Sequence, residues 1–356
     1  MLYISDNSTE PYRNLATEEY LLKEFKEPIL RLWRNSSSII IGRNQNALAE
    51  IDYQYVNEHN IKVVRRLTGG GAVFHDLGNL NYTFIQEKIE GEDTAAMFKR
   101  FTAPIIDALR AIGVNAYLQG RNDLLIDGRK FSGNAVCIHN NRVLQHGTLM
   151  FDVSTSTLAA ALKARPEKFI GKAVQSNRSR VTNIKEHLKP KEIMKNAAAV
   201  ALLNGRSAEK ADIEWFKEYL GQHIIGNSIG EQIVPHTLTE QQQADIEHLT
   251  QEKYSTPQWN IGQSPKYTFS AIRRFTGGFL ELYLTVKEGI IADLEIKGDY
   301  FFTRPTEEFA KAMIGTPHTK EEVAKKIGAL DTDAYFANIS KDEIEGLFFI
   351  CQTSSL

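Results

Sequence analysis

The sequence is short of several features, and each shortage removes a class of function. It has two cysteines in 356 residues. Cys137 and Cys351 lie far apart in the chain, so no dense disulfide framework and no thiolate cluster for a metal is expected, and a reducing cytoplasm fits. No apolar run approaches the roughly 18 residues that a membrane-spanning helix needs. The first residues, Met1 to Asp6, lack the basic-then-apolar pattern of a secretion signal. No block of one charge stands out, and 42 basic against 44 acidic residues give a formal charge of −2. Recognition of a nucleic-acid backbone needs a large positive footprint, so a nucleic-acid partner is not expected.

What remains is an ordinary globular composition, 42% apolar and 24% charged. The length exceeds that of a usual single core, which predicts two domains. Helical spacing marks Asn14–Phe25, Asp52–His59 and Ala95–Ile112. Short strands are expected at Ile29–Trp33, Ser38–Gly42 and Ile61–Leu67. Gly71–His75 and Leu80–Gln86 read as a strand pair joined by the loop Asp76-Leu77-Gly78-Asn79. Asp127-Gly128 is a strong two-residue hairpin signal between Asp123–Ile126 and Arg129–Ile138, and Arg142–Phe151 then runs back. Helices are expected at Ser156–Leu162, Pro190–Leu203 and Ala211–Leu220. Strands joined by tight turns must be antiparallel, so the fold class is mixed α/β with a largely antiparallel or mixed sheet.

Polar residues with Pro257 and Pro265 break the periodicity between Leu249 and Pro265. This predicts a catalytic domain over 1–250, a linker over 251–264 and a small α+β domain over 265–350. The last would hold strands at Lys266–Arg274, Gly278–Lys287 and Ile290–Lys297, then helices at Thr306–Met313 and Lys320–Ile327. Arg273-Arg274-Phe275-Thr276-Gly277-Gly278 echoes an earlier motif but lacks its third glycine and its His-Asp; it reads as a hairpin.

The earlier motif is Arg65-Arg66-Leu67-Thr68-Gly69-Gly70-Gly71-Ala72-Val73-Phe74-His75-Asp76. Glycines let backbone N–H groups curve around an anion. Paired arginines supply charged donors suited to phosphate or carboxylate, and the apolar residues that follow suit a hydrocarbon body. Activation of a fatty-type acid fits that combination. Strand alternation puts Lys130, Ser132 and Asn134 on one face, with Phe131, Gly133 and Ala135 on the other; His146 and Thr148 share a face on the returning strand. Gly133 within a strand signals close approach of a neighbour.

These motifs resemble the signature of lipoate–protein ligases. The resemblance rests on Arg65 to Asn79, Gly120-Arg121-Asn122-Asp123, Arg129 to Ala135, and His146-Gly147-Thr148-Leu149. Leu32 to Asn35, Ile41 to Asn46 and Ser179 to Asn183 add to it, in order and at compatible spacing. It covers most of the first 250 residues, and the C-terminal part resembles the accessory domain of two-domain members. The resemblance implies the biotin/lipoate ligase fold, related to class II aminoacyl-tRNA synthetase cores. It implies that lipoate, and octanoate as well, is activated by ATP with Mg²⁺ to an acyl-adenylate. The acyl group would then pass to a lysine of the lipoyl domains of 2-oxoacid dehydrogenase E2 subunits or of the glycine-cleavage H protein.

Carried over by position, Lys130 would be catalytic. Arg66, Gly71, Ala72, Val73, Phe74, Asn122, Asp123 and Lys130 would hold ATP and the adenylate. Trp33, Arg66, Thr68, Gly71, His75, Lys130, Ser132, Gly133, Ala135, His146 and Thr148 would hold lipoate. Asp123 would be the Mg²⁺ residue, and Phe169 to Thr182 a loop that closes over the adenylate. The rival activity on the same fold is octanoyl or lipoyl transfer between carrier proteins, which needs an activated thiol or a docking surface and no ATP. Cys137 sits among apolar neighbours, where a thiol is usually inert.

Overall fold

Asp127 and Gly128 take φ values of 49° and 73°, the positive pair that a two-residue hairpin turn requires. They reverse the chain between two strands of the principal sheet, as the sequence predicts. The computed structural model describes residues 1–5, 7–162, 169–171, 181–229, 235–264, 266–300 and 302–349. Its strands are β1 (Leu2–Ser5), β2 (Ile29–Trp33), β3 (Ser38–Ile41), β4 (Lys62–Arg65), β5 (Val73–His75), β6 (Asn79–Glu87) and β7 (Ala116–Gln119). They continue with β8 (Asp123–Ile126), β9 (Arg129–His139), β10 (Arg142–Met150), β11 (Phe169–Gly171), β12 (Tyr267–Phe275), β13 (Gly278–Lys287) and β14 (Ile290–Tyr300). A seven-stranded sheet has the order β1-β2-β6-β10-β9-β8-β7, a three-stranded one β4-β3-β5, and a four-stranded one β11-β12-β13-β14.

Alternation decides which face of the large sheet meets what. Leu30, Leu32, Leu80, Tyr82, Phe84, Val143 and Leu149 turn to the helices Thr94–Ala111 and Ile213–Ile229, against Phe101, Ile105, Leu109, Trp215, Phe216 and Tyr219. The opposite face carries Ile29, Ile85 and Leu144 and packs on Leu21 and Leu22 of helix α1 (Pro11–Glu24). Further along, Leu15 of α1 joins Trp33 and the small-sheet residues Ile40 and Val64. The three-stranded sheet and α1 therefore stand over one face, and the candidate site lies between them and the large sheet. In the C-terminal part, β12 to β14 turn Phe269, Leu282, Leu284 and Leu294 onto Phe309, Met313, Val323, Ile327, Ile344 and Phe348 of the region that follows. The hairpin reading of Arg273 to Gly278 holds, with Phe275 paired to Gly278.

Three expectations are corrected. Val73–His75 and Asn79–Glu87 do not pair with each other: β5 joins β3, and β6 lies between β2 and β10. The residues between them make a corner. Asp76 Oδ1 accepts from Gly78 N–H at 2.8 Å, and Gly78 O accepts from the N–H groups of Phe151 and Asp152 at 3.0 and 2.9 Å. That ties the corner to the end of β10, so β6 must run beside β10. Pro190–Leu203 is two short helices, Pro190–Ile193 and Ala197–Ala201, because Asn196 accepts from Ala199 N–H and caps the second. Finally, the polar stretch after Leu249 stays helical, with turns at Thr250–Tyr254 and Gln258–Gly262. Its Tyr254, Asn260 and Ser264 are buried.

Candidate active site

The seven-stranded sheet carries a row of partnered residues across four strands: Trp33 opposite Asn81, Asn81 opposite Thr148, and, one step further, Gly133 of β9. Strands lie about 4.8 Å apart, so the row is about 14 Å long. Above it lies a cavity of about 240 Å³, lined by Trp33, Arg66, Gly71, Ala72, Val73, His75, Asn122, Asp123, Lys130, Gly133, Ala135, His146 and Thr148. These are sequence-predicted residues brought to one place. Leu15, Ile40, Gly70, Asn81, Arg121, Asn134 and Gly147 also line it and stand outside the site residues carried over by position. Phe74, Thr68 and Ser132 are not on the wall. Phe74 is packed into the core around Ile39, Ile41 and Leu48.

Ser132 is on the other side of the sheet because β9 bulges. Leu124 pairs with Ser132 but Leu125 pairs with Lys130, leaving Phe131 as the extra residue. The bulge breaks the expected alternation, in which Lys130 shares a face with Ser132 and Asn134. Ser132 and Asn134 turn to the helix side, where Asn134 Nδ2 donates to Ser132 Oγ and Asn134 Oδ1 accepts from the Tyr82 hydroxyl. Lys130 instead joins Gly133 on the cavity side. A Cβ on Gly133 would lie 3.1 Å from Lys130 Nζ and 3.2 Å from its Cε, so the missing side chain is what gives the ammonium its resting place. Lys130 Nζ pairs with Asp123 Oδ1 at 2.8 Å, both side chains about a third exposed. Asn122 Nδ2 donates to Asn134 O at 2.6 Å, and Thr148 Oγ1 accepts from Gly133 N–H at 3.2 Å.

The two arginines are committed to the protein. Arg66 Nε donates to Thr68 Oγ1 at 2.9 Å, Nη1 to Ile40 O at 2.9 Å, and Nη2 to Gly69 O and Gly71 O at 2.7 and 2.8 Å. It is a brace inside the glycine loop more than a free phosphate clamp. Gly70 has φ 93°, and a Cβ on Gly42 would lie 2.0 Å from Gly70 O, so the two loops touch backbone to backbone. Arg65, fully buried, donates from Nη1 to Gly42 O, Arg43 O and Gln45 O, from Nε to Trp259 O, and from Nη2 to Asn260 O and Ser264 Oγ. Burial, with Arg43 and Arg66 nearby, lowers its pKa to about 10, which leaves it charged at neutral pH. The predicted linker is therefore fastened to the wall of the site.

Behind the glycine loop runs a buried chain. His146 Nδ1 meets both carboxylate oxygens of Glu18 at 3.0 Å, and His146 Nε2 meets Thr68 Oγ1 at 2.8 Å. Trp33 Nε1 donates to Thr83 Oγ1, which donates to Glu18 at 2.5 Å. Burial would raise the Glu18 carboxyl, but His146, Thr83 and Arg31 outweigh it and hold its pKa below the usual value. Sequence reasoning missed Glu18; its signal was an acid at i+3 from Leu15 on the buried stripe of α1. Cys137 is half-buried, and burial beside Glu18 and Glu19 pushes its thiol up to about 12, so it is no nucleophile at neutral pH. Cys351 lies outside the described residues. So does most of the expected closing loop; of Phe169 to Thr182, β11 pairs with β12, and Val181 bridges Lys130. Among the described residues no helix is long and apolar enough to cross a membrane.

The model of the lipoyl protein ligase A/B catalytic domain matches residues 10–205, and that of the bacterial lipoate protein ligase C-terminus matches 264–348. A lipoate-protein ligase of Bacillus subtilis, LplJ, is 38% identical over 352 residues, covering 98% of this chain and all of that one. Among solved structures, a bi-partite lipoate protein ligase from Thermoplasma acidophilum, described with its E2 lipoyl domain, has TM-score 0.59 at 24% identity, covering 74% of this chain and 96% of that one. A lipoate-protein ligase A bound with ATP has TM-score 0.58 at 24% identity, over 74% and 98% of the two chains. The likeness to the solved structures gives the fold, biotin/lipoate ligase in type. The two family models fall in order on one chain that matches a full-length relative end to end, and by these matches the chain belongs to the lipoate–protein ligases.

Proposed function

We propose that this ligase carries out both half-reactions in the trough between the large sheet and the glycine loop. Lipoate lies along the row from Trp33 to Gly133, its carboxylate at the Lys130 end. In the first step a carboxylate oxygen attacks the α-phosphorus of ATP, the bond to the β-phosphate breaks, and pyrophosphate leaves. In the second, a lysine amine of the acceptor attacks the acyl carbon, loses a proton, and AMP departs. The observation that carries this reading is Lys130 held 2.8 Å from Asp123 at the wall of the cavity that Gly70 and Gly71 also line. An ammonium there can bridge a carboxylate and a phosphate, the two anions that must meet.

The glycine loop, braced by Arg66, offers backbone N–H groups to phosphate oxygens. No cluster of three metal-binding side chains occurs among the described residues, so a protein cage for Mg²⁺ is not what this wall fits. It fits an ion held mainly by nucleotide phosphates and water, with Asp123 as its one carboxylate. Such an ion would neutralise phosphate charge. Acceptors are proposed to be lipoyl domains of E2 subunits, the partner described for the Thermoplasma ligase, and the glycine-cleavage H protein.

The test is release of AMP and pyrophosphate from ATP, Mg²⁺ and lipoate, with and without an apo lipoyl domain or H protein. Lipoate-dependent pyrophosphate release and a lipoyl mass gain on the acceptor are expected. Lipoate binding with no ATP consumption would overturn the reading and favour carrier-to-carrier transfer.

A further inference from the structure

One polar group at the trough is left unused by these steps. His75 lines the cavity and is 3% exposed, yet its Nε2 is buried with no hydrogen-bond partner. Which nitrogen of His75 carries the proton is fixed from three side chains away, along a buried relay. Arg31 has only donors, and its Nη2 donates to Asn14 Oδ1 at 2.6 Å. The other end of that amide, Asn14 Nδ2, therefore donates to Asn35 Oδ1 at 2.9 Å. Asn35 then has only its Nδ2 to offer His75 Nδ1, at 3.1 Å. Arg31, Asn14 and Asn35 are all fully buried, so no solvent exchange blurs the order. His75 Nδ1 is thus an acceptor and the proton sits on Nε2. Burial, helped by Arg66 and His146, holds the pKa of His75 down at about 3, so the ring is neutral at working pH.

The position of this donor matters. The Trp33 ring stands edge-on to His75 at 6.3 Å, and Asn81, the strand partner of Trp33, is 3.5 Å from Nδ1. His75 is therefore at the Trp33 end of the trough, the far end from Lys130, where the tail of the acid lies rather than its carboxylate.

We propose that His75 is a specificity-determining residue whose Nε2–H donates to a ring sulfur of the bound dithiolane, favouring a sulfur-bearing tail over a saturated one. This rests on the reading of the trough given under Proposed function. A methylene chain laid against this buried N–H leaves it unpartnered. A disulfide sulfur of the dithiolane, polarizable and a weak acceptor as a thioether is, gives it a partner. A discrimination of about five- to tenfold in kcat/KM follows, at the low end of what a buried unpaired donor produces.

The experiment compares kcat/KM for ATP-dependent activation of lipoate, octanoate and 5-cyclopentylpentanoate, whose ring has the shape of the dithiolane without its sulfurs. The wild type should prefer lipoate to the cyclopentyl acid by about five- to tenfold. His75→Phe should bring that ratio close to one, and His75→Gln, which restores an N–H donor, should recover it. Equal kcat/KM for lipoate and the cyclopentyl acid in the wild type would overturn the proposal without any variant having to fold. A ratio unchanged in a folded His75→Phe protein would overturn it too. If the wild type activates none of the three acids, it is the proposed function that fails, and the two failures are distinguishable.

Discussion

Arg65 and Asn260 are bonded at both ends: Arg65 N–H donates to Asn260 Oδ1 at 2.9 Å, and Arg65 Nη2 donates to Asn260 O at 2.9 Å. The indole of Trp259 adds a third tie, from Nε1 to Arg65 O at 2.8 Å, and its ring lies under the Arg43 guanidinium at 4.5 Å. Replacing Arg65 by Met strands several buried carbonyls at once. We expect a loss of about 2–4 kcal/mol in urea unfolding. Asn260→Ala removes the acceptor of the Arg65 N–H and the Nδ2 donor to Tyr254 O, and should lose about 1–2 kcal/mol. The two losses should depart from additivity, because the residues are in contact.

Lys130→Ala should reduce lipoate-dependent pyrophosphate release by about a hundredfold or more, the scale of a lost oxyanion donor. Lipoate binding, measured by calorimetry without ATP, should persist, since the tail contacts are untouched. Parallel loss of binding and turnover would mean that Lys130 only shapes the trough.

Two glycine substitutions should separate function from folding. In Gly133→Ala the new Cβ meets the end of the Lys130 side chain, which can move, so the thermal midpoint should hardly change. Turnover should fall about ten- to a hundredfold as the ammonium is displaced. In Gly42→Ala the new Cβ meets the Gly70 carbonyl at 2.0 Å, which is backbone. There both turnover and stability should fall, and a thermal melt alongside the assay checks the pair.

Glu18 predicts an acid limb. Its folded-state pKa lies below the ordinary carboxyl value of 4.5, so the folded protein binds its proton less readily than the unfolded chain. The stability this provides is complete above that ordinary value and is lost as pH falls through the folded value. Glu18→Gln should flatten unfolding free energy against pH in that acid window, relative to wild type. A mutant curve that keeps the wild-type slope below pH 4.5 would discount the His146 pairing as its source.

Local signals read well from sequence. The Asp127-Gly128 turn, the meander it starts, and β13 are where alternation and turn chemistry put them. The failures are all cases where a distant partner decides. The strand pair around Asp76-Leu77-Gly78-Asn79 was plausible from turn residues, but the end of β10 captures Gly78 O. The Phe131 bulge moves Lys130 across the sheet, and one inserted residue leaves no mark on composition. Residues 251–264 look like a linker because they are polar, yet the polarity of Asn260 serves a buried cation 195 positions away. The site was legible because its glycines, lysine and histidines stand in compact motifs. Glu18 was not, since its partner His146 is 128 positions distant.

The trough also has the character of a ruler. Its length is counted in strands, from β2 through β6 and β10 to β9, and the graduations are backbone hydrogen bonds. Exchanging a side chain over the row such as Val73 can widen or narrow it, while truncating Trp33 at its end adds room beyond the last graduation. Acids of altered girth should therefore be within reach of substitutions over the row, and longer acids of substitutions at Trp33.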